Sequence, residues 1–140
     1  MKTLVTGGGG FLGRAIVAQL LARGDEVAVF SRRRFPDLEA QGVESLQGDL
    51  GDPTAVSAAC KGRDVVYHVA ALAGAWGPSQ IYERTNVLGT SHVISGCRAG
   101  RVPKLVFTSS PSVVSPPTPL DHEGVDESEP YPETYVADYP

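Results

Sequence analysis

At 140 residues the chain has room for one packed core and no second domain. With 12 Lys and Arg against 16 Asp and Glu, its net charge of −4 leaves no cationic excess to neutralise a phosphate backbone, which excludes a general nucleic-acid binder. Any anion site must be local, and the expected partner is a small-molecule substrate. No apolar run approaches the ~20 residues that span a bilayer, and no signal peptide precedes the first strand, so the expectation is no membrane span. Cys60 and Cys97 fall in separate predicted helices with no metal-ligand spacing and no disulfide framework, which fits a reducing, cytoplasmic setting.

The first element is a short apolar strand, Met1 to Thr6. A glycine tract follows, Thr6-Gly7-Gly8-Gly9-Gly10-Phe11-Leu12-Gly13, and from Phe11 onward Leu12, Ala15, Ile16 and Leu20 recur at helical spacing until Gly24. The tract therefore marks a strand-to-helix junction. A tight turn there needs positive φ, and a pyrophosphate reaches the backbone only where no Cβ intervenes. The free N–H groups and the helix dipole would face the phosphates. A flexible linker is the alternative, and the close flanking strand and helix count against it.

Glu26 to Ser31 reads as the second strand, a weak polar helix follows, and Val43 to Gln47 reads as the third. Pro53 suits the first turn of a helix running to Cys60. The fourth strand is the apolar run Asp64 to Ala71, a long helix spans Pro78 to Ala99, and Lys104 to Ser110 is the fifth strand. Alternating β and α units of this size predict an α/β, doubly wound parallel sheet of Rossmann type, order 3-2-1-4-5, with helices on both faces. Residues 1–110 form this domain. From Pro111 to Pro140 the chain is a Pro-rich, acidic loop or tail.

The second strand runs into Phe30-Ser31-Arg32-Arg33-Arg34, where an acid accepting both ribose hydroxyls would indicate NAD. That acid is absent. An Arg fork suits a 2′-phosphate, so Ser31 and Arg32 favour NADP, with NAD the alternative and a solvated surface cluster the bland one. His68, inside an apolar strand and with no acid or second ligand at suitable spacing, reads as a satisfied structural histidine. Trp76 either lines a substrate pocket or packs.

Thr6, Gly7, Gly10 and Gly13 meet the pattern Thr-Gly-x-x-Gly-x-x-Gly, and His68-Val69-Ala70-Ala71, Ala73-Gly74-Ala75-Trp76-Gly77, Thr85-Asn86-Val87-Leu88-Gly89-Thr90 and Phe107-Thr108-Ser109-Ser110-Pro111-Ser112-Val113 follow in order. Together these motifs resemble the extended short-chain dehydrogenase/reductase superfamily, the NAD(P)-dependent epimerase/dehydratases. Within it the chain is most similar to the 3β-hydroxysteroid dehydrogenase-like branch, which includes 2-alkyl-3-oxoalkanoate reductases. The resemblance implies that Gly7, Gly10, Phe11, Leu12 and Gly13 hold the cofactor phosphates, that Asp49 and Leu50 meet the adenine, and that Ala70 and Ala71 leave room for the cofactor. Asn86 is implied to support the site, with polar packing as the alternative.

Catalysis is implied to rest on Ser110 and Tyr139, which flank a carbonyl or carbinol during hydride transfer, with no metal. The family's Lys, four residues beyond the Tyr, falls past Pro140, and the substrate-binding part is absent. The expectation is therefore the cofactor-binding portion of an oxidoreductase acting on a hydrophobic 3-oxo acid or sterol-like substrate, truncated in its active-site motif and inactive alone. The full-length protein is expected to be a homodimer. Alternatives are a sugar-nucleotide epimerase or dehydratase and a non-catalytic dinucleotide-binding module.

Overall fold

A computed structural model describes residues 1–74, 76–114 and 124–135. Five strands form one parallel sheet: β1 (Lys2–Thr6), β2 (Glu26–Ser31), β3 (Glu44–Gln47), β4 (Val65–His68) and β5 (Lys104–Phe107), in the order β3-β2-β1-β4-β5. Helices α1 (Phe11–Ala22), α2 (Pro36–Glu39), α3 (Pro53–Cys60), α4 (Ser79–Tyr82) and α5 (Gly89–Ala99) make the crossovers. This is the expected doubly wound, Rossmann-type sheet.

Successive side chains on a strand point to opposite faces, and here both faces are buried. On one face Leu4, Ala28, Phe30 and Val66 pack with Val56, Ala59 and Cys60 of α3 and with Val93 and Cys97 of α5. On the other, Val5, Val27 and Val29 pack with Val17 and Leu20 of α1 and with Leu38 of α2. Each fully buried Val or Leu contributes roughly 1.5–3 kcal/mol, so the central strands are held from both sides. Gly96 lets α5 approach α3, since a Cβ there would lie 3.2 Å from Cys60 Sγ. Both cysteines are free and buried.

The helix ends follow local chemistry. Asp52 caps α3 by accepting from the N–H groups of Thr54 at 2.9 Å and Ala55 at 3.2 Å, and Pro53 occupies the first turn, where its missing N–H costs nothing. Gly24, at φ +83°, ends α1 in the left-handed conformation that favours glycine. The long helix expected over 78–99 begins at Ser79 and contains a π-helical segment, Glu83–Leu88, between α4 and α5. Asn86, inside that segment, pairs with the main chain of Leu72: its Oδ1 accepts from the N–H at 2.8 Å and its Nδ2 donates to the carbonyl at 3.1 Å.

Two strands stop earlier than their apolar runs. The fourth was expected to reach Ala71 and ends at His68, because the N–H groups of Val69 and Ala70 both donate to Thr6 Oγ1, each at 3.2 Å, and leave the ladder. The fifth was expected to reach Ser110 and ends at Phe107, since β4, its one neighbour among the described residues, has already ended. Beyond it, Pro111–Val114 form a single 3-10 turn within the stretch expected to be loop. Among the described residues no helix is long and apolar enough to cross a membrane.

The same Thr6 hydroxyl contacts His68 Nδ1 at 2.7 Å, and His68 Nε2 lies 3.0 Å from Thr90 Oγ1. Thr6 Oγ1 already accepts two N–H groups, so its own hydrogen goes to Nδ1. His68 is therefore the Nε2–H tautomer, donating to Thr90, and burial holds its pKa down at about 4. The structural reading of this histidine stands.

An imidazole that is neutral in the fold and protonates near pH 6.5 when unfolded leaves the unfolded state with the extra proton between those values. Stability should fall as pH drops from about 6.5 to 4, by on the order of 3 kcal/mol. Urea unfolding of wild type and His68→Asn across that range checks this, because the difference between the two isolates the imidazole; parallel pH dependences would refute it.

Candidate functional site

The C-terminal ends of β1, β2 and β4 open into a cleft of about 470 Å³, in the size range of small-molecule sites. Gly7, Gly10, Phe11, Leu12, Gly13, Ser31, Arg32, Asp49, Leu50, Ala70 and Ala71 all line it. These are the residues that the sequence pointed to for a cofactor. Ser110 does not line it; its hydroxyl lies 2.6 Å from Ser112 Oγ, beyond β5. Tyr139 lies outside the described residues.

The floor of the cleft is built by contacts that exclude side chains. Gly7 has φ +69°, and a Cβ on it would sit 2.8 Å from Ala70 Cα, so the turn after β1 and the segment after β4 meet backbone to backbone. A Cβ on Gly13 would fall 2.2 Å from the Gly7 carbonyl oxygen. Gly8 faces Val29, 2.4 Å from where its Cβ would be. Gly10 differs from all of these. Its φ is −82°, and the nearest atom to its missing Cβ is the Gly7 carbonyl oxygen at 3.3 Å. Its conformation does not demand glycine, and the 3.3 Å approach to the Gly7 carbonyl oxygen is the mildest of these contacts, at a position that borders the open cleft.

Gly10 is also the N-cap of α1, with no side-chain capping hydrogen bond and no acid in the first turn. The positive end of a twelve-residue helix thus enters the cleft uncompensated by any carboxylate of its own. On the next wall the three arginines separate. Arg34 hydrogen-bonds both carboxylate oxygens of Glu39, at 2.9 and 3.1 Å, which holds that carboxyl below the usual range. Among the described residues Arg32 and Arg33 form no ion pair, and both line the cleft. The Ser31 hydroxyl donates to the Arg33 carbonyl and shapes this turn. Asp49 accepts from Gly51 N–H at 2.7 Å, an aspartate turn, and lies 3.9 Å from Arg84.

Phe30, Arg33, Phe35, Gly48, Val69 and Thr85, which the sequence did not single out for the site, complete the lining. At Gly48 a Cβ would meet the Phe30 ring at 2.6 Å, a contact visible only in the fold. Trp76, left open, is 85 % exposed and so does not pack; the Tyr82 hydroxyl, donating toward the carbonyls of Gly74 at 2.9 Å and Trp76 at 3.2 Å, holds the loop that carries it. A broader depression of about 610 Å³ lies between the ends of α3 and α5, lined by small side chains with Lys61 and Arg101, and no strand end opens into it. No group of three His, Cys, Asp or Glu able to hold a metal occurs among the described residues.

Residues 4–140 match the model of the 3-beta hydroxysteroid dehydrogenase/isomerase family. The chain belongs to that family. It is 49 % identical to the 2-alkyl-3-oxoalkanoate reductase of Stenotrophomonas maltophilia (strain K279a), over 99 % of this chain and 42 % of that protein. It is 38 % identical to human sterol-4-alpha-carboxylate 3-dehydrogenase, decarboxylating, over 89 % of this chain and 31 % of that one. Among solved structures it resembles the UDP-glucose 4-epimerase of Thermus thermophilus in complex with NAD, with a TM-score of 0.84 and 33 % identity over 99 % of this chain and 46 % of that one. The chain thus spans between about a third and a half of the length of these relatives.

The glycine contacts separate stability from the cleft. Gly13→Ala should cost about 1–3 kcal/mol by forcing the turn apart, whereas Gly10→Ala should cost under about 1 kcal/mol, the difference between two N-cap residues. Denaturant unfolding of both variants checks the order; a larger loss at Gly10 would contradict it.

Proposed function

We propose that the cleft binds a nicotinamide dinucleotide, and that the chain is the cofactor-binding portion of an oxidoreductase that interconverts a carbonyl and a secondary alcohol. Gly10 carries this reading. It is glycine without a positive φ, where a Cβ would meet the chain at the Gly7 carbonyl oxygen 3.3 Å away, bordering the cleft at an uncapped helix N-terminus, and that Cβ would take space a pyrophosphate needs. The fit extends along the cleft. Arg32 and Arg33, with no carboxylate at the end of β2, suit a 2′-phosphate and support NADP over NAD. Asp49 and Leu50 stand at the adenine end, and Ala70 and Ala71 leave the wall beside β4 low.

A bound nicotinamide supplies hydride chemistry, which no side chain offers. The roles of the chain are to hold and orient. Ser110, whose hydroxyl shares a hydrogen bond with Ser112, is proposed to hold the substrate oxygen, and Tyr139 to move the proton on that oxygen. The relatives named for 3-oxoalkanoate and sterol substrates support a hydrophobic 3-oxo acid or sterol-like substrate for the full-length protein. Sugar-nucleotide chemistry has weaker support, because the epimerase likeness is at 33 % identity against 49 % for the reductase. A homodimer of the full-length protein and a cytoplasmic setting belong to the same proposal, the latter supported by two free, buried thiols.

Calorimetric titration of the chain with NADPH and NADH tests the reading. Wild type should prefer NADPH; Arg32→Ala should weaken NADPH about 10- to 100-fold, the worth of charge-assisted hydrogen bonds, and leave NADH unchanged. Gly10→Ala should weaken both while keeping its fold. Unchanged NADPH affinity in Arg32→Ala would overturn the role of that residue, and undiminished binding of both nucleotides by Gly10→Ala would overturn the site.

A further inference from the structure

Gly9 is not in a left-handed conformation, yet a Cβ added to it would lie 2.0 Å from Phe35 Cζ and 2.1 Å from Cε2. The Phe35 ring, half-buried, therefore rests on the bare backbone of the glycine turn. Two guanidinium groups lie within cation–π range of it, Arg14 at 5.4 Å from the ring centroid and Arg33 at 5.9 Å. Their states differ. Arg14 is neutralised by hydrogen bonds to both carboxylate oxygens of Asp37, and it also donates to the Gly9 carbonyl at 3.1 Å. Arg33 forms no ion pair among the described residues and lines the cleft with its charge uncompensated.

We propose that Phe35 is a positioning residue for cofactor choice: seated on Gly9, its ring holds the Arg33 guanidinium in the cleft that Arg32 also lines, so that two arginines meet a 2′-phosphate. The proposal rests on the NADP reading above. A flexible Arg loses rotamer freedom when it grips a ligand, and a side chain already held on an aromatic face loses less. The dianionic phosphate has use for a second cation, and Arg14 and Arg34 already spend their charges on Asp37 and Glu39. The contact also explains an otherwise idle glycine. Gly9 has no side chain where the tip of the ring, which joins the glycine turn to the β2 turn, approaches it.

Binding of adenosine 2′,5′-bisphosphate and of AMP by calorimetry isolates the 2′-phosphate. Phe35→Leu should weaken the bisphosphate about two- to five-fold, as expected for one exposed cation–π contact, and leave AMP unchanged. Phe35→Tyr should restore wild-type affinity. Arg33→Gln should lose about tenfold for the bisphosphate alone, and adding Phe35→Leu to it should cost nothing further. Equal weakening of both ligands by Phe35→Leu, an unchanged bisphosphate affinity, or full additivity with Arg33→Gln would each overturn the positioning role. If Phe35→Leu does not fold, the exposed Arg33→Gln decides, and unchanged bisphosphate affinity there overturns the proposal. A wild type that binds both ligands equally overturns the NADP reading and this inference with it, whereas a wild-type preference that survives Phe35→Leu overturns this inference alone.

Discussion

The Thr6 hydroxyl is the constraint on which the rest of the site depends. It stands at the end of β1, 1 % exposed, and binds the main chain of Val69 and Ala70 and the ring of His68 at once. A hydroxyl has one hydrogen and two lone pairs, and all three are used, so the orientation of every partner is determined. β4 is thereby cut off at His68, the chain turns over Gly7, and Ala70 comes to rest against a residue with no Cβ. A valine at this position would take the hydroxyl from two part-buried N–H groups and from one buried imidazole nitrogen. Through His68 Nε2 the same network reaches Thr90, the second residue of α5, so that β1, β4 and the helix behind them share one set of hydrogen bonds.

The glycines around that anchor divide by what they admit. Gly7 and Gly13 admit backbone, Gly8 admits Val29, and Gly9 admits Phe35. Gly10 has the loosest surroundings, with the Gly7 carbonyl oxygen 3.3 Å from its Cβ position. A glycine tract is often taken as one feature, yet here four of its members are accounted for by contacts inside the protein. The remaining one is where a ligand argument begins. The arginines after β2 divide in the same way, with Arg34 paired to Glu39 while Arg32 and Arg33 form no ion pair among the described residues.

Much of this was legible in the residues because the relevant signals are local. Apolar runs of strand length, a helical repeat from Phe11, Pro53 after Asp52 and the glycine tract each act within a few residues, and the sheet order follows from alternating β and α units. The strand ends were not legible. His68-Val69-Ala70-Ala71 and Phe107-Thr108-Ser109-Ser110 continue the apolar and small-residue character of a strand, and only the distant hydroxyl of Thr6 and the loss of a neighbour stop them. The π-helical segment was hidden for a related reason: it is six residues inside a longer helical run, too short to show its own period, and its Asn86 pairs with the main chain of Leu72, outside the helix. Phe35 was missed because its partner, Gly9, is identified by having no side chain, and nothing in a sequence marks which of four successive glycines an aromatic ring will cover.

The central claim is that the cleft at the ends of β1, β2 and β4 holds a dinucleotide, with its phosphates on the glycine turn. Amide chemical-shift mapping while the chain is titrated with NADP⁺ tests this most directly. The account predicts saturable shifts confined to Gly7 through Gly13, Ser31 through Arg33, Asp49 and Leu50, and Ala70 and Ala71. Shifts centred on Lys61 and Gly100 in the broader depression between α3 and α5, or no saturable shifts at all, would contradict it.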